Sequence, residues 1–262
     1  MIWTVLGSSG TIGGRLLAKL DATGETTYAP DRNDNDLFKR PLGNVIYAIG
    51  LTADFRHRPH DTVEAHVQIL SELLKRADFK SLLYLSSTRV YARADSGKED
   101  APLPVLTQDA SDLYNLSKLM GESLCLSDTR PTVRVARLSN VVGGVHANSS
   151  NFLHALTHEA QGGRIVLQTA LDSVKDYIHI DDVVDLLIRI ATSGRQRIYN
   201  VASGVQTTHQ QWTDQLAKQT GCSVEVANGA PTSSFVQIDI SRICSEFNFQ
   251  PNPVLTTLGN AT

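Results

Sequence analysis

The stretch YNLSK sets a phenol at Tyr114 and an ammonium at Lys118, four residues apart and so one helical turn apart on one face. A free tyrosine titrates near ~10 and is a poor base at neutral pH. One positive charge at ~4 Å is worth about 4 kcal/mol at an effective dielectric of 20, which is roughly three pKa units. Lys118 is therefore expected to bring Tyr114 into a range useful for proton abstraction, and a cationic cofactor would add a second positive charge. YLSSTRVYA, Tyr84–Ala92, reads as the end of the strand before that helix. Ser87 in it is the expected hydrogen-bond partner of the oxygen that gains or loses the proton. The alternative is that Ser86, Ser87 and Thr88 merely terminate the strand. A tyrosine and lysine so spaced also occur by chance on surface helices, so the pair needs a cofactor site beside it to carry chemistry.

GSSGTIGG, Gly7–Gly14, supplies a candidate. It stands between a short apolar strand, IWTVL (Ile2–Leu6), and the helical spacing of GRLLAKL (Gly14–Leu20). In that context Gly7 permits a tight turn, Gly10 lets a pyrophosphate approach the backbone, and Gly13 lets helix and strand pack closely. The amino end of the helix, with Thr11 and Ile12, offers unpaired N–H groups and a positive dipole. A tight turn without a ligand is the alternative. Asp31 closes the next strand, TTYAP (Thr26–Pro30), where its carboxylate is expected to accept the hydroxyls of an adenosine ribose. That favours NAD over NADP, although Arg32 beside it could hold a 2′-phosphate, so NADP stays open. Asp36 and Leu37 lie where adenine contacts form.

The elements that must position these groups alternate. NVIYAIG (Asn44–Gly50) and SLLYLSS (Ser81–Ser87) read as buried strands around a helix over about Asp61–Arg76. A helix over about Asp109–Leu126 and the strand TVRVARL (Thr132–Leu138) follow. This order implies a parallel sheet wound on both faces. The segment from Asp31 to Asn44 is too short for a further helix and strand, so the sheet is expected to lack one strand. Beyond it come a helix over about Asn151–Ala160, the strand RIVLQ (Arg164–Gln168), the helix DDVVDLLIRIA (Asp181–Ala191) and RIYNVAS (Arg197–Ser203). A last helix, about His209–Thr220, precedes SVEVA and FVQIDI.

Glycine turn, SSTRVY and YNLSK, in this order and spacing, resemble the extended short-chain dehydrogenase/reductase family, in its nucleotide-sugar epimerase/dehydratase group. EDAPL (Glu99–Leu103), SKLMGE (Ser117–Glu122), RLSNVVG (Arg137–Gly143), KDYIHIDDVV (Lys175–Val184) and YNVASG (Tyr199–Gly204) extend the resemblance over nearly the whole chain. It implies an α/β fold, a doubly wound Rossmann-like parallel sheet with a small C-terminal substrate-binding lobe. Residues 1–143 and about 174–202 would form the dinucleotide-binding domain, and about 144–173 and 203–262 the lobe. It implies Ser87, Tyr114 and Lys118 as catalytic. Gly7, Gly10, Gly13, Asp31 and the strand end Ala48, Ile49 and Gly50 would hold NAD(H). Thr88, Asn140, Asn151 and Lys175 would face a nucleotide sugar. His66 stands where the family carries an asparagine, at the cofactor or as a hydrogen-bonded core histidine.

The chain also departs from the family. Ser87, Thr88 and Arg89 replace a Thr-Asp-Glu trio that supplies the acid and base of sugar 4,6-dehydration, so an epimerase or ketoreductase is expected instead. Lys175 replaces an arginine, losing a bidentate fork and keeping the charge. A reductase of a non-sugar carbonyl and a non-catalytic dinucleotide-binding scaffold or sensor remain alternatives.

Composition narrows the field. Across 262 residues, hydrophobic types make up 41% and charged types 19%, enough for a packed core. A formal charge of −3 without a block of like charges gives no nucleic-acid or polybasic membrane surface. No apolar run has the ~18 residues of a membrane span, and MIWTVLG lacks the pattern of a signal peptide. Cys125, Cys222 and Cys244 read as reduced thiols of a cytoplasmic protein. His57 with His60, and His154 with His158, have no adjacent ligand cluster, so no metal is expected. The helices over about Asp61–Arg76 and Asp109–Leu126 are expected to pair in a homodimer, as in relatives.

Overall fold

The computed structural model describes residues 1–32, 34, 36–51, 54–143 and 152–256. Its centre is a six-stranded parallel sheet of β1 (Ile2–Leu6), β2 (Thr26–Tyr28), β3 (Asn44–Tyr47), β4 (Ser81–Ser87), β5 (Val133–Leu138) and β9 (Ile198–Val201). The strand order is β2-β1-β3-β4-β5-β9. The chain runs outward from β1 to β2 and then returns to place β3 on the other side of β1. That reversal opens a crevice at the carboxyl ends of β1 and β3, which carry Gly7 and Ala48. The link from residue 29 to 43 adds no strand, as its length requires.

Both faces of the sheet are covered, so its strands are continuous apolar runs whose alternate residues enter two different cores. Leu83 and Leu85 of β4 join Trp3, Val5 and Ile46 under α1 (Thr11–Ala22) and α6 (Ile180–Ser193). Leu82 and Tyr84 join Val45, Tyr47, Leu70 and Leu73 on the opposite face. That face is covered by α2 (Pro59–Val63), a π-helical turn over Glu64–Gln68, α3 (Ile69–Arg76) and α4 (Asp112–Ser127). The helix expected over about Asp61–Arg76 is thus interrupted at its centre. The widened turn leaves two carbonyls free for outside donors. The Tyr47 hydroxyl donates to Ala65 O at 2.6 Å and the Tyr84 hydroxyl to His66 O at 3.2 Å. Gly121 of α4 crosses this turn so closely that a Cβ would stand 2.4 Å from Tyr84 Oη and 2.8 Å from His66 O.

The smaller layer is built on β6 (Asn140–Val142), α5 (Phe152–Gln161), β7 (Arg164–Leu167), β8 (Val174–His179), β10 (Gln206–Thr208), α7 (His209–Thr220) and β11 (Ser223–Val226). β10, β8 and β6 form one small sheet, β11 and β7 another. Leu153, Leu156, Ile165, Tyr177, Trp212 and Leu216 make its core. α7 begins with a capping box between Thr208 and Gln211 and stops at Gly221, whose φ of 72° lies in the left-handed region. Within the segment expected to form the rest of the lobe, α8 (Ser241–Phe247) packs elsewhere. Ile243 and Phe247 of α8 enter the main core beneath β9, because that helix offers its apolar side to the sheet. FVQIDI forms no strand and makes only an isolated bridge from Ile238 to Gly97.

One buried ion pair ties α4 to the sheet. Arg137 of β5 meets both oxygens of Glu122, the closest contact at 2.7 Å, and both side chains are 3% exposed. Ser86 Oγ donates to Glu122, and Arg137 also donates to Tyr91 Oη at 2.7 Å and Glu99 O at 3.0 Å. With its remaining donors and acceptors so satisfied, the pair can offset its desolvation. Glu122→Ala would leave Arg137 buried and unpaired. It is expected to cost about 3–5 kcal/mol in urea unfolding, with most of that recovered in the double variant Glu122→Leu/Arg137→Met.

Candidate functional site

The glycine turn has the form the sequence predicts, for two separable reasons. Gly7 has φ of 87°, and a Cβ there would stand 2.7 Å from the Ala48 backbone. A Cβ on Gly13 would stand 2.3 Å from Gly7 O. The protein's own packing therefore dictates both glycines. Gly10 differs: its φ of −84° suits any residue, and a Cβ would meet only Gly7 O at 3.4 Å. Gly10 caps α1 without a side-chain hydrogen bond, and the first turn holds no acid. The N–H groups of Thr11, Ile12 and Gly13 precede the first intrahelical bond, which Gly14 N donates to Gly10 O at 2.8 Å. Open space at Gly10, free donors and a positive helix end fit the phosphates of a dinucleotide.

The adenosine side is less complete. β2 ends at Tyr28, so Asp31 does not close the strand but lies three residues beyond it, exposed, as is Arg32. Asp36 pairs with Lys39 at 3.1 Å, both exposed. Leu37 packs against the core instead of standing free. Ile12 and Ala48 likewise pack on the main core and Ile49 on the opposite one, so their side chains serve the fold and only their backbone faces the crevice.

From Ala48 the crevice leads directly to the catalytic candidates. A Cβ on Gly50 would stand 3.3 Å from His66 Nε2 and 3.4 Å from Lys118 Nζ. Tyr114, Ser117, Lys118, Gly121 and Glu122 share the buried face of α4. Lys118 Nζ donates to Leu85 O at 2.9 Å and lies 6.0 Å from the Tyr114 ring centroid. Burial pushes its pKa down to about 7, against the pull of Glu122. His66 is fully buried. Leu51 N donates to its Nε2 at 3.2 Å, so the ring proton sits on Nδ1, which donates to Ser117 Oγ at 2.8 Å. Ser117 passes its own hydrogen to Tyr114 O at 2.9 Å. Burial, and secondly Lys118, hold the His66 pKa at about 3, so the ring is neutral.

The electrostatics of Tyr114 correct the expectation for Lys118. Burial raises the phenol above its ordinary value; the Ser87 hydroxyl and then the Arg89 charge pull it back, and Lys118 is not among the groups that lower it. The lysine is committed to Leu85 O and burial lowers its own pKa, while the groups that pull the phenol back down are Ser87 and Arg89. Ser87 is the last residue of β4. Its Oγ accepts from Arg89 N at 3.2 Å and starts the 3-10 turn Thr88–Tyr91, which leaves its hydrogen free to point at the phenol. Thr88 is buried in that turn.

On the lobe side, Asn140 Nδ2 donates to Asp176 O at 2.8 Å, and Asn151 lies outside the described residues. Lys175 lines a cavity of about 270 Å³ with Phe152, Glu159, Gln168, Thr169 and His209. Phe152 and His209 stack with centroids 4.4 Å apart. His209 Nδ1 is paired with Thr169 Oγ1 at 2.8 Å, whereas its buried Nε2 has no hydrogen-bond partner among the described residues. Burial and Lys175 lower the His209 pKa. Nothing in the sequence singled out Phe152 or His209, which stand 57 residues apart and meet only through the packing of α5 on α7. Arg89 was visible only as a break in the resemblance. Among the described residues no group of three or more histidines, cysteines and acids comes together, and no helix is long and apolar enough to cross a membrane.

Comparison with known proteins agrees with this geometry. The family model described as NAD dependent epimerase/dehydratase family matches residues 3–202. A curated dTDP-glucose 4,6-dehydratase of Streptomyces griseus is 27% identical over 194 residues, covering 70% of this chain and 58% of that protein. The chain thus spans a little over half the length of the curated relative it matches. Among solved structures, MoeE5 in complex with UDP-glucose and NAD superposes with a TM-score of 0.78 at 20% identity, covering 98% of this chain and 97% of that one. UDP-glucuronic acid 4-epimerase from Bacillus cereus, in complex with UDP-glucuronic acid and NAD, gives 0.79 at 16%, covering 98% and 96%. TunA, an NAD dependent NDP-hexosamine 5,6-dehydratase, gives 0.79 at 18%, covering 100% and 99%. At these identities the three share the fold.

Two outcomes follow from the geometry. Gly10→Ala costs under about 1 kcal/mol of stability as a cap change but is expected to weaken NADH binding at least about tenfold, by loss of close backbone approach. Gly13→Ala instead lowers stability itself by about 2 kcal/mol or more, read in thermal unfolding. For His66, an unfolded chain takes up a proton below pH 6.5 that the folded one refuses until about 3. Stability therefore falls by about 1.4 kcal/mol for each pH unit lost in that window. Urea unfolding between pH 6.5 and 4.5 is expected to show a shallower pH slope in His66→Asn than in the unaltered protein.

Proposed function

The chain belongs to the NAD dependent epimerase/dehydratase family, and on that premise we propose that it binds NAD and a nucleotide-linked sugar and carries out redox chemistry at a hydroxyl or keto group of that sugar. The observation that carries this reading is continuity. Gly7 contacts Ala48, Gly50 abuts Lys118 and His66, and the face of α4 that holds Lys118 also holds Tyr114. The glycine turn, Gly50 and Lys118 would hold a dinucleotide along this crevice, and it would supply hydride acceptance and return near the phenol.

Bound NAD accepts or returns a hydride. The chain's residues handle the proton and the orientation. Tyr114 Oη takes the proton of the sugar hydroxyl or gives it to the keto oxygen. Ser87, whose lone pair is engaged by Arg89 N, donates its hydrogen to that same oxygen. Lys118 stands at Gly50, placed to bond the ribose next to the reactive ring. The neutral His66, fixed at both nitrogens, holds Leu51 N and Ser117 in place beneath the site. Phe152 and Lys175 give the lobe cavity a flat apolar ring and a cation, which suits a nucleotide.

Thr88 and Arg89 put no carboxylic acid beside Ser87, which favours epimerisation or keto reduction over 4,6-dehydration. Tyr114→Phe is expected to cut turnover by about 10²–10⁴-fold while NADH binding, followed by fluorescence, stays within about twofold, since the lost hydroxyl touches the sugar oxygen. Full turnover in that variant would remove Tyr114 from the mechanism. In the unaltered enzyme, oxidation should rise with pH through the neutral range, because burial holds the phenol protonated.

A further inference from the structure

Arg89 stands beside the Tyr114 ring, and among the described residues no carboxylate pairs with it; Asp109 and Asp112 act on its charge only from a distance. The 3-10 turn started by Ser87 lays its side chain over the mouth of the sheet. The guanidinium carbon is 5.0 Å from the centroid of the Phe55 ring and 5.5 Å from that of Tyr114. Of its five N–H donors, one meets a protein acceptor among the described residues, Ser111 O at a long 3.4 Å. Arg93, Arg130, Arg137 and Arg242 each pair with a carboxylate; Arg89 does not. The acids nearest to it, Asp109 and Asp112, are taken by Arg93.

Its other charged neighbours have the same sign. Arg56 lies over the same Phe55 ring at 4.6 Å and bonds Ser111 Oγ at 2.8 Å. Lys175, across the crevice on β8, has its pKa lowered by burial and by the Arg89 charge. A half-buried arginine remains charged at neutral pH, so this end of the crevice carries excess positive charge in a partly desolvated place. Lys175 lines the lobe cavity and is the cation placed for a diphosphate there. Arg89 instead flanks the phenol, where the sugar ring itself must lie. A planar guanidinium fork matches a carboxylate with two parallel hydrogen bonds. A neutral hydroxymethyl group would leave the fork unfilled.

We propose that the sugar bears a carboxylate on the ring carbon next to the reacting hydroxyl, and that Arg89 binds that carboxylate beside Tyr114. The inference rests on the nucleotide-sugar reading above and narrows it to a nucleotide-linked uronic acid. Arg56 adds to the local potential from the rim, and Arg89 makes the direct contact. The same contact draws negative charge to Arg89 and orients the ring so that one hydroxyl meets Tyr114 Oη and Ser87.

The NAD-loaded protein is titrated calorimetrically with UDP-glucuronate and UDP-glucose, and then with the dTDP-linked pair. The acidic sugar is expected to bind at least about tenfold more tightly than the neutral one of the same nucleotide, the size of a charge-assisted hydrogen-bonded contact. Arg89→Gln should collapse that ratio toward one, and Arg89→Lys, which keeps the charge without the fork, should retain part of it. A ratio of one or less in the unaltered protein, or a ratio that survives Arg89→Gln, overturns the proposal and leaves the nucleotide-sugar reading standing. If NADH binds but neither sugar of either pair does, the nucleotide-sugar reading fails, and this inference with it.

Discussion

The buried pair of Glu122 and Arg137 sets the rotation of α4 against the sheet. Glu122, Lys118 and Tyr114 follow one another at four-residue steps, so they lie along one stripe of the helix. Anchoring Glu122 to β5, with Ser86 of β4 on the same carboxylate, aims the other two at the carboxyl ends of those strands. Gly121 then lets α4 approach the π turn at Glu64–Gln68. The turn in its place puts His66 against Ser117 and Leu51. An ion pair remote from the chemistry thus governs where the phenol and the ammonium point.

Burial shapes what those groups do. A low-dielectric environment disfavours charge on any side chain it encloses. Lys118 falls to about 7, His66 to about 3, and Tyr114 rises. The site is therefore poor in internal compensation for charge. The cation that does act on Tyr114 in this chain is Arg89, from a strand-end turn and not from the helix. An anionic ligand beside Arg89 would balance the positive charge that Arg89, Arg56 and Lys175 gather at this end of the crevice.

The architecture divides the work between two layers. The parallel sheet holds the glycine turn and the buried face of α4 that carries Tyr114 and Lys118 at its reversal point, beside β1 and β3. The smaller sheets and α5 and α7 carry Lys175, Phe152 and His209 above it. α8 crosses back to the main core, which ties the end of the described chain to β9.

Much of this was legible in the residues. The alternation of apolar runs and helical spacing stated the order of strands and helices. Gly7 and Gly13 announced a turn that only glycine can make, and the four-residue step from Tyr114 to Lys118 stated a shared helix face. These are local properties, set by backbone sterics and by the period of the elements, so they can be read along the chain. Other features needed distance in sequence to become nearness in space. The π turn exists because Tyr47 and Tyr84, from two strands, claim the carbonyls of Ala65 and His66. The commitment of Lys118 to Leu85 O, the stacking of Phe152 on His209 and the lack, among the described residues, of a carboxylate paired with Arg89 all depend on which surfaces the packing brings together and on how much water it leaves there. The chain alone determined which chemistry could occur and on which elements. Tertiary structure decided the charge each group carries, because desolvation and partner choice are properties of the assembled interior.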